Sequence, residues 1–393
     1  MSWPVKNIGT ICEIFDSKRK PITKKNRVGG PYPYYGATGV LDYVEGYIFN
    51  EDLVLIGEDG AKWGAGDNSA FPISGKTWVN NHAHVLKPDR STIIDAWLIY
   101  YLNATDLSSF ITGMTVPKLN QGKLKEIPVP TPTLQEQQRI VAILDAAFEQ
   151  IDQAKAIAQQ NLQNAREIFD SAVENIFHNS CKFQEFRPLE SIAKIVNGYA
   201  FASKDFSPTG GVNVIKITNV GVNDFIVDEQ NKLPQEFFER YKDYRADEGD
   251  IVIALTRTII SGGLKVAAVP EEYHGALINQ RVAAIKVDSD YISSELMQAY
   301  LASKMAKKYV KSRVNELMQP NLSIKDLKLF PVPVPKPCNI EAITTNIKAL
   351  RKFSYELEQI YQQKITALGE LKQSLLQQAF SGQLTAKHSD ATV

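Results

Sequence analysis

Cysteine is nearly missing from this chain: 393 residues hold 3, Cys12, Cys181 and Cys338. An odd number, far apart and without CxxC spacing, argues against a disulfide framework and against a zinc site. Long apolar runs are absent too. None approaches the length of a membrane span, and Met1-Ser2-Trp3-Pro4 opens no signal peptide, so a cytoplasmic protein without a membrane partner is expected. Charge of one sign is not in excess, with 44 basic residues against 44 acidic. Bulk electrostatics therefore do not announce a nucleic-acid partner. Catalytic equipment is equally scarce. Gly75-Lys76-Thr77 ends like a phosphate loop, but Ala70 stands where the first glycine is required. Gly30-Pro31-Tyr32 lacks the leading acid or amide of an adenine methyltransferase loop. Asp16-Ser17-Lys18 and Asp326-Leu327-Lys328 are too short to mark a nuclease, and a solvated surface explains them. His82 and His84 alternate along one strand without further ligands at defensible spacing, so no metal is expected. The chain reads as non-catalytic.

What is present is a duplication. Residues 117–132, PKLNQGKLKEIPVPTP, align without a gap on residues 320–335, PNLSIKDLKLFPVPVP. Further on, SAVENIF at 171–177 is answered by SLLQQAF at 374–380. Upstream, Asp52–Ile56 resembles Asp250–Ala254, and Asn81 precedes a short apolar strand as Asn279 does. A period near 200 residues far exceeds the roughly 20–50 of a solenoid unit. Two copies imply a pseudo-two-fold molecule, and the commonest long polymer with two-fold symmetry is duplex DNA.

Each copy opens with short apolar runs between Gly, Asn and Asp clusters, which predict strands and exposed loops, with helices near Asp95–Asn103 and Ser293–Asn315. IPVPTPT at 127–133 and FPVPVPKP at 330–337 stop any helix, because proline lacks the amide donor. Between Pro132 and Pro188 there is then neither glycine nor proline. Val141, Leu144, Phe148, Ile151, Leu162 and Phe169 keep a 3,4 spacing there, which predicts a helix over 134–178 about 67 Å long. Ile347, Leu350, Leu357, Tyr361, Leu368, Leu371 and Leu375 give a second seam, interrupted by Ser354 and Lys364. The expected fold class is mixed α/β (α+β): two tandem heads separated by an antiparallel coiled coil. The alternative is two amphipathic helices, each packed on its own head.

Binding features are better represented than catalytic ones. SKRKPITKKNR at 17–27 holds Lys18, Arg19, Lys20, Lys24, Lys25 and Arg27 with no acid, a loop able to release counterions from a phosphate backbone or simply to be solvated. Lys304, Lys307, Lys308, Lys311 and Arg313 form a basic helical face opposite Leu301, Met305 and Tyr309. Tyr32, Tyr34 and Tyr35 sit among turn residues, where they stack on a ligand or pack. Base edges are read by amides, guanidiniums and hydroxyls on loops. Candidates are Lys62, Trp63, Asn80, Asn81, His82 and Thr115 in the first head, with Tyr35 beside them. In the second they are Asn219, Arg257, Thr258, Asn279, Gln280, Arg281, Lys311, Arg313 and Asn315.

These segments resemble the specificity subunit of type I restriction–modification systems. YPYYGATG at 32–39, LVLIGEDGA at 53–61 and VNNHAHVLKP at 79–88 look like landmarks of its first target-recognition domain. IKITNV at 215–220, GDIVIALTRT at 249–258 and NQRVAAI at 279–285 look like those of the second. LKEIPVPTPTLQEQQRIVAILD at 124–145 and SLLQQAFSGQLT at 374–385 are similar to the central and distal conserved helices. The second copy departs at 338–347, CNIEAITTNI, which leaves the heptad but not the glutamine-rich lead of LQEQQRIV at 134–141. The resemblance implies recognition domains over 1–133 and 180–337, conserved helices over 134–179 and 338–385, and a flexible tail over 386–393. It implies a subunit that binds double-stranded DNA, each domain reading half of a split target while the helices set the spacer. Two methyltransferase subunits would dock on it and methylate adenine N6, and two motor–nuclease subunits can join. S-adenosylmethionine, ATP and Mg are then expected on the partners and no cofactor on this chain, in a bacterial or archaeal cytoplasm. A specificity component for a fused nuclease–methylase and a coiled-coil scaffold that ignores DNA are the alternatives.

Overall fold

The computed structural model describes residues 3–113, 115–178, 182–228, 230–260, 262–313 and 321–386. The chain forms two compact units, one of residues 1–159 with 362–393 and one of residues 160–361. The chain passes from one unit to the other only at 159/160 and 361/362, both inside long helices, Leu134–His178 and Ile340–Phe380.

Among the described residues of the first unit ten strands run β1 Val5–Asn7, β2 Cys12–Ile14, β3 Gly29–Gly36, β4 Gly39–Val44, β5 Phe49–Asn50, β6 Leu53–Gly57, β7 Ala70–Ile73, β8 Lys76–Val79, β9 Ala83–Pro88 and β10 Pro128–Pro130. They make sheets of order β2-β9-β6-β7 and β4-β3-β8-β5 and a ribbon β1-β10. In the second unit the strands are β11 Phe183–Pro188, β12 Ala193–Asn197, β13 Val212–Ile215, β14 Lys232–Leu233, β15 Arg245–Ala246, β16 Ile251–Ala254, β17 Ile259–Ile260, β18 Gly263–Leu264, β19 Val266–Ala268, β20 Ala276–Ile278, β21 Val282–Val287 and β22 Pro331–Pro335. The sheets are β12-β21-β16-β19 and β14-β13-β20-β15, with the ribbon β11-β22 and a small hairpin β17-β18. Apart from that hairpin the two units match strand for strand, down to the parallel pairs β3-β8 and β13-β20.

The burial pattern explains why β6 and β16 read as unbroken apolar runs. Val54 and Ile56 face one core with Trp97, Leu98 and Leu102, while Leu53 and Leu55 face another with Phe15, Phe49 and Val79. Ile251 and Ile253 are likewise separated from Val252 and Ala254. A sheet covered on both faces loses the polar half of its alternation. The proline-rich segments stop the preceding helix as expected and then become β10 and β22, whose partners β1 and β11 leave their other edges unpaired. An edge of a two-stranded ribbon accommodates residues without an amide donor.

Each long helix does two jobs. Val141, Leu144, Phe148 and Ile151 lie in the same core as Trp97 and Leu102, together with Leu376 and Ala379 of the other helix. The helices also pair antiparallel within each unit. Asp152 meets Lys372 at 3.2 Å in the first, while Arg166 meets Glu358 at 2.9 Å in the second. The polar interruption Ser354 is buried and donates to the Ala165 carbonyl at 2.7 Å. Leu162, Leu350, Leu357, Tyr361, Leu368 and Leu375 are half-buried, and Phe169 and Ile347 are buried. Leu371 is a correction: it is 47% exposed and lies off the seam. The expected helix Ser293–Asn315 is also corrected. It breaks at Ser303 into Ser294–Ala302 and Lys304–Arg313, Ser303 being extended (φ −69°, ψ 162°). Its hydroxyl accepts from the Ala306 amide at 3.2 Å, as an N-cap does. Tyr32, Tyr34 and Tyr35 belong to β3 rather than to a turn, and the Tyr34 hydroxyl accepts from the Ile22 amide at 2.9 Å.

The glutamine-rich lead has a structural use. Gln137 is fully buried, its Oε1 accepting from the Ile94 amide at 3.0 Å and its Nε2 donating to the Thr92 and Pro132 carbonyls at 3.0 and 2.9 Å. In the second copy Thr344 meets Ser293, the N-cap of Ser294–Ala302, at 2.8 Å instead. Both pairings lock the start of the long helix to the loop entering a shorter helix of its own head, Asp95–Ala104 or Ser294–Ala302, so the departure at 338–347 exchanges one pin for another.

Candidate nucleic-acid interface

In the first unit four connections converge at one end of the sheets: residues 15–28, 58–69, 80–82 and 115–120. A charged plug holds them. Arg19 Nη1 donates to Glu58 Oε2 at 2.5 Å and to the Ala83 carbonyl at 2.8 Å, and Arg19 Nη2 lies 3.4 Å from Asp16. Lys118 Nζ reaches Glu58 Oε1 at 2.8 Å. His84 Nδ1 lies 2.5 Å from Asp16 Oδ2, and its Nε2 lies 2.6 Å from the Leu119 carbonyl. Asp16, Glu58 and His84 offer ligand atoms within 4.8 Å of one another, but Arg19 and Lys118 already sit on the carboxylates, and the set acts as an ion-pair network. Burial pushes the Asp16 and Glu58 carboxyls up. The bond from His84 to Asp16, and those from Lys118 and Arg19 to Glu58, outweigh burial and hold both below the ordinary carboxylate range.

A pH dependence follows. Groups held low in the folded state contribute stability that is complete above their unfolded values near 4 and is lost as pH falls through the lowered ones. Acid titration followed by tryptophan fluorescence, to which buried Trp63 contributes with its Nε1 donating to the Gly57 carbonyl at 2.9 Å, should show a transition below pH 4. Asp16→Asn should weaken that transition; an unchanged curve would remove Asp16 from the network.

Around the plug Lys18, Lys20, Lys24, Lys25, Lys62, Asn81, His82 and Thr115 are exposed. His82 pairs through Nδ1 with Asp59. The other candidates of this head are corrected. Arg19 is consumed by the plug, with only 13% of its side chain exposed. Trp63 is core, and Asn80 is buried with its Oδ1 accepting from the His82 amide at 2.8 Å. Tyr35 is half-buried against Phe71, and Arg27 folds back on Asp42 at 3.3 Å and on the Tyr34 ring.

The second unit gathers the corresponding connections at the same strand ends. The Asn279 amide donates to the Ile215 carbonyl at 3.0 Å, as the Asn80 amide does to the Tyr35 carbonyl at 3.0 Å. Asn279 is half-exposed, and Gln280 and Arg281 are exposed. Arg257 is exposed with φ +50°, a left-handed conformation that non-glycine residues adopt at a cost of about 1 kcal/mol. Burial and the Arg257 charge lower the pKa of Lys265, whose Nζ donates to the Ile217 carbonyl at 2.5 Å. Lys311 and Arg313 are exposed on the basic helix. Two candidates are corrected here. Asn219 is fully buried, its Oδ1 accepting from the Lys216 amide and its Nδ2 donating to the Ile226 carbonyl, each at 2.8 Å, and Thr258 is fully buried. Asn315 lies outside the described residues.

The family model for the type I restriction modification DNA specificity domain matches residues 2–161 and 183–367. The chain belongs to that family. S.HindORF215P of Haemophilus influenzae, provisionally named as a type I specificity subunit, is 38% identical over 141 residues, 36% of each chain. The specificity subunit of the type I restriction enzyme MjaVIII from Methanocaldococcus jannaschii is 22% identical over 98% of this chain and 94% of its own. A chain of a type I R-M system, solved in work on complex assembly and conformational transition, superposes with a TM-score of 0.72 at 15% identity, covering 98% of both chains. The HsdS subunit from Thermoanaerobacter tengcongensis gives 0.51 at 16% identity over 98% and 97%. These likenesses show the fold. The family's general role is recognition of a DNA target, and the exposed amides and cations at the loop ends suit it. Among the described residues no helix is long and apolar enough to cross a membrane.

Tyr199, outside the residues expected from the sequence, is 38% exposed beside Asn279. The signal for it was faint: Gly198-Tyr199-Ala200-Phe201 places two aromatics after a glycine in a loop.

Proposed function

We propose that this chain is the target-reading subunit of a type I restriction–modification complex. Each head reads one half of a bipartite duplex, and the paired helices set the unread spacer and dock two methyltransferase subunits. Two motor–nuclease subunits can join the assembly. S-adenosylmethionine, ATP and Mg belong to those partners; this chain supplies recognition and no catalytic group. The observation that carries the reading is the strand-for-strand repetition of the heads, each presenting exposed polar side chains after the same strand, Asn81 and His82 after β8 and Gln280 and Arg281 after β20. Amides pair with adenine and guanidiniums with guanine in the major groove. Lys18, Lys20, Lys24 and Lys25 supply salt-dependent affinity to phosphates.

The test is single-molecule sequencing of DNA from methylation-deficient cells that express this chain with its neighbouring methyltransferase gene. The expected result is N6-methyladenine in a split motif that disappears when this chain is omitted. Methylation that persists without the chain, or that follows no motif, would refute the proposal.

A further inference from the structure

We infer that Tyr199 is a specificity-determining DNA contact of the second head, acting through its ring where the first head uses charge. This rests on the reading just proposed and names one contact within it. In the first head the segment sealing β8 is basic: the Lys20 amide donates to the carbonyl of Val79, the residue before Asn80, at 3.3 Å. In the second head the same seal is made by Tyr199, whose amide donates to the carbonyl of Ile278, the residue before Asn279, at 2.8 Å. The Gln280 amide returns to the Tyr199 carbonyl at 3.0 Å, so Tyr199 is stitched to the exposed loop from both sides of Asn279. The approach is close enough to require glycine next door, because a Cβ on Gly198 would lie 2.0 Å from the Asn279 carbonyl oxygen.

The side chain is fixed as firmly as the backbone. Its ring centroid lies 5.2 Å from Phe201, 4.8 Å from Tyr241 and 5.2 Å from Tyr244. Arg240 lies 5.5 Å from the Tyr241 ring and adds positive charge to the rim. Yet 38% of Tyr199 remains open to solvent. A ring packed by its neighbours loses little further entropy on binding, and the open part of the residue belongs to a segment bridged to Asn279 and bonded to the Gln280 amide. Duplex DNA supplies the matching group at a base edge, the thymine methyl, which apolar side chains read in the major groove.

The test uses the full chain copurified with its methyltransferase partner. Binding is measured on duplexes carrying the methylated motif, with each base of either half replaced in turn, over a salt series. Tyr199→Ala should reduce discrimination at one position of the second half roughly tenfold, leave the first half intact and leave the salt slope unchanged. Tyr199→Phe should behave as the unmodified chain, and Tyr199→Gln, which keeps a long side chain, should lose discrimination as alanine does. If the unmodified complex discriminates and Tyr199→Ala and Tyr199→Gln discriminate equally well, Tyr199 is no contact and the broader reading stands. If Tyr199→Ala flattens the salt slope or weakens both halves alike, the ring-contact assignment fails. If the unmodified complex shows no sequence preference, the broader reading falls and this inference with it.

Discussion

Lengthening both long helices by one heptad, between Gln159 and Gln160 and between Tyr361 and Gln362, is expected to abolish methylation of the original target and create a new one. The new target should keep both half-sites and have a spacer longer by up to about three base pairs. The two junctions are chosen because the chain crosses between its compact units there, inside Leu134–His178 and Ile340–Phe380. A heptad adds about 10 Å of helix at 1.5 Å per residue, against roughly 3.4 Å of rise per base pair. It also restores the packing face to within about 20°, so buried Ala158 and Ala165 on one helix and Ser354 on the other keep their inward orientation. Inserting into one helix alone should fail, because the antiparallel partner would no longer match. Sequencing of methylated DNA from cells carrying the double insertion checks this. Altered half-sites with an unchanged spacer would end the view of the helices as a ruler.

The long helices and the double architecture were legible because they rest on averages over many positions. A stretch without glycine or proline that keeps a 3,4 spacing has few alternatives to a helix packed along one stripe. The two jobs of that stripe were not legible, since Phe148 or Leu144 looks the same whether it meets another helix or its own head. The break at Ser303 rests on one hydroxyl capping one amide, and a strong apolar period on both sides masks it. Individual site residues were least legible, for a chemical reason. Loops need short polar side chains to satisfy their own backbone, and these are the same side chains that read bases. Asn80 and Asn219 do the first, while Asn81 is exposed one residue from Asn80. Only the fold separates such neighbours.

Arg19 puts that distinction to a test with a large effect. It lies in the most basic segment of the chain, yet its guanidinium is bonded to Glu58 and to the Ala83 carbonyl and lies 3.4 Å from Asp16. Arg19→Ala leaves two carboxylates, with side chains only 10% and 6% exposed, short of one cation each, although Glu58 keeps Lys118 at 2.8 Å and Asp16 keeps His84 at 2.5 Å. Loss of charged hydrogen bonds in a network that keeps its other partners costs about 1.5–3 kcal/mol, short of the cost of a fully orphaned buried charge. Urea unfolding followed by tryptophan fluorescence, which reports on the first unit because Trp3, Trp63, Trp78 and Trp97 all lie there, should therefore show that unit destabilised. Arg19→Ala combined with Glu58→Gln should cost less than the sum of the two single substitutions, because both remove the same contact. The paired substitution Lys24→Ala with Lys25→Ala should do the opposite: leave stability within about 0.5 kcal/mol and reduce the salt slope of DNA binding by about 1.8. If instead Arg19→Ala were stable and flattened the salt slope, Arg19 would be a phosphate contact. The exposed lysines would then have to share their role with a residue that the fold has turned inward.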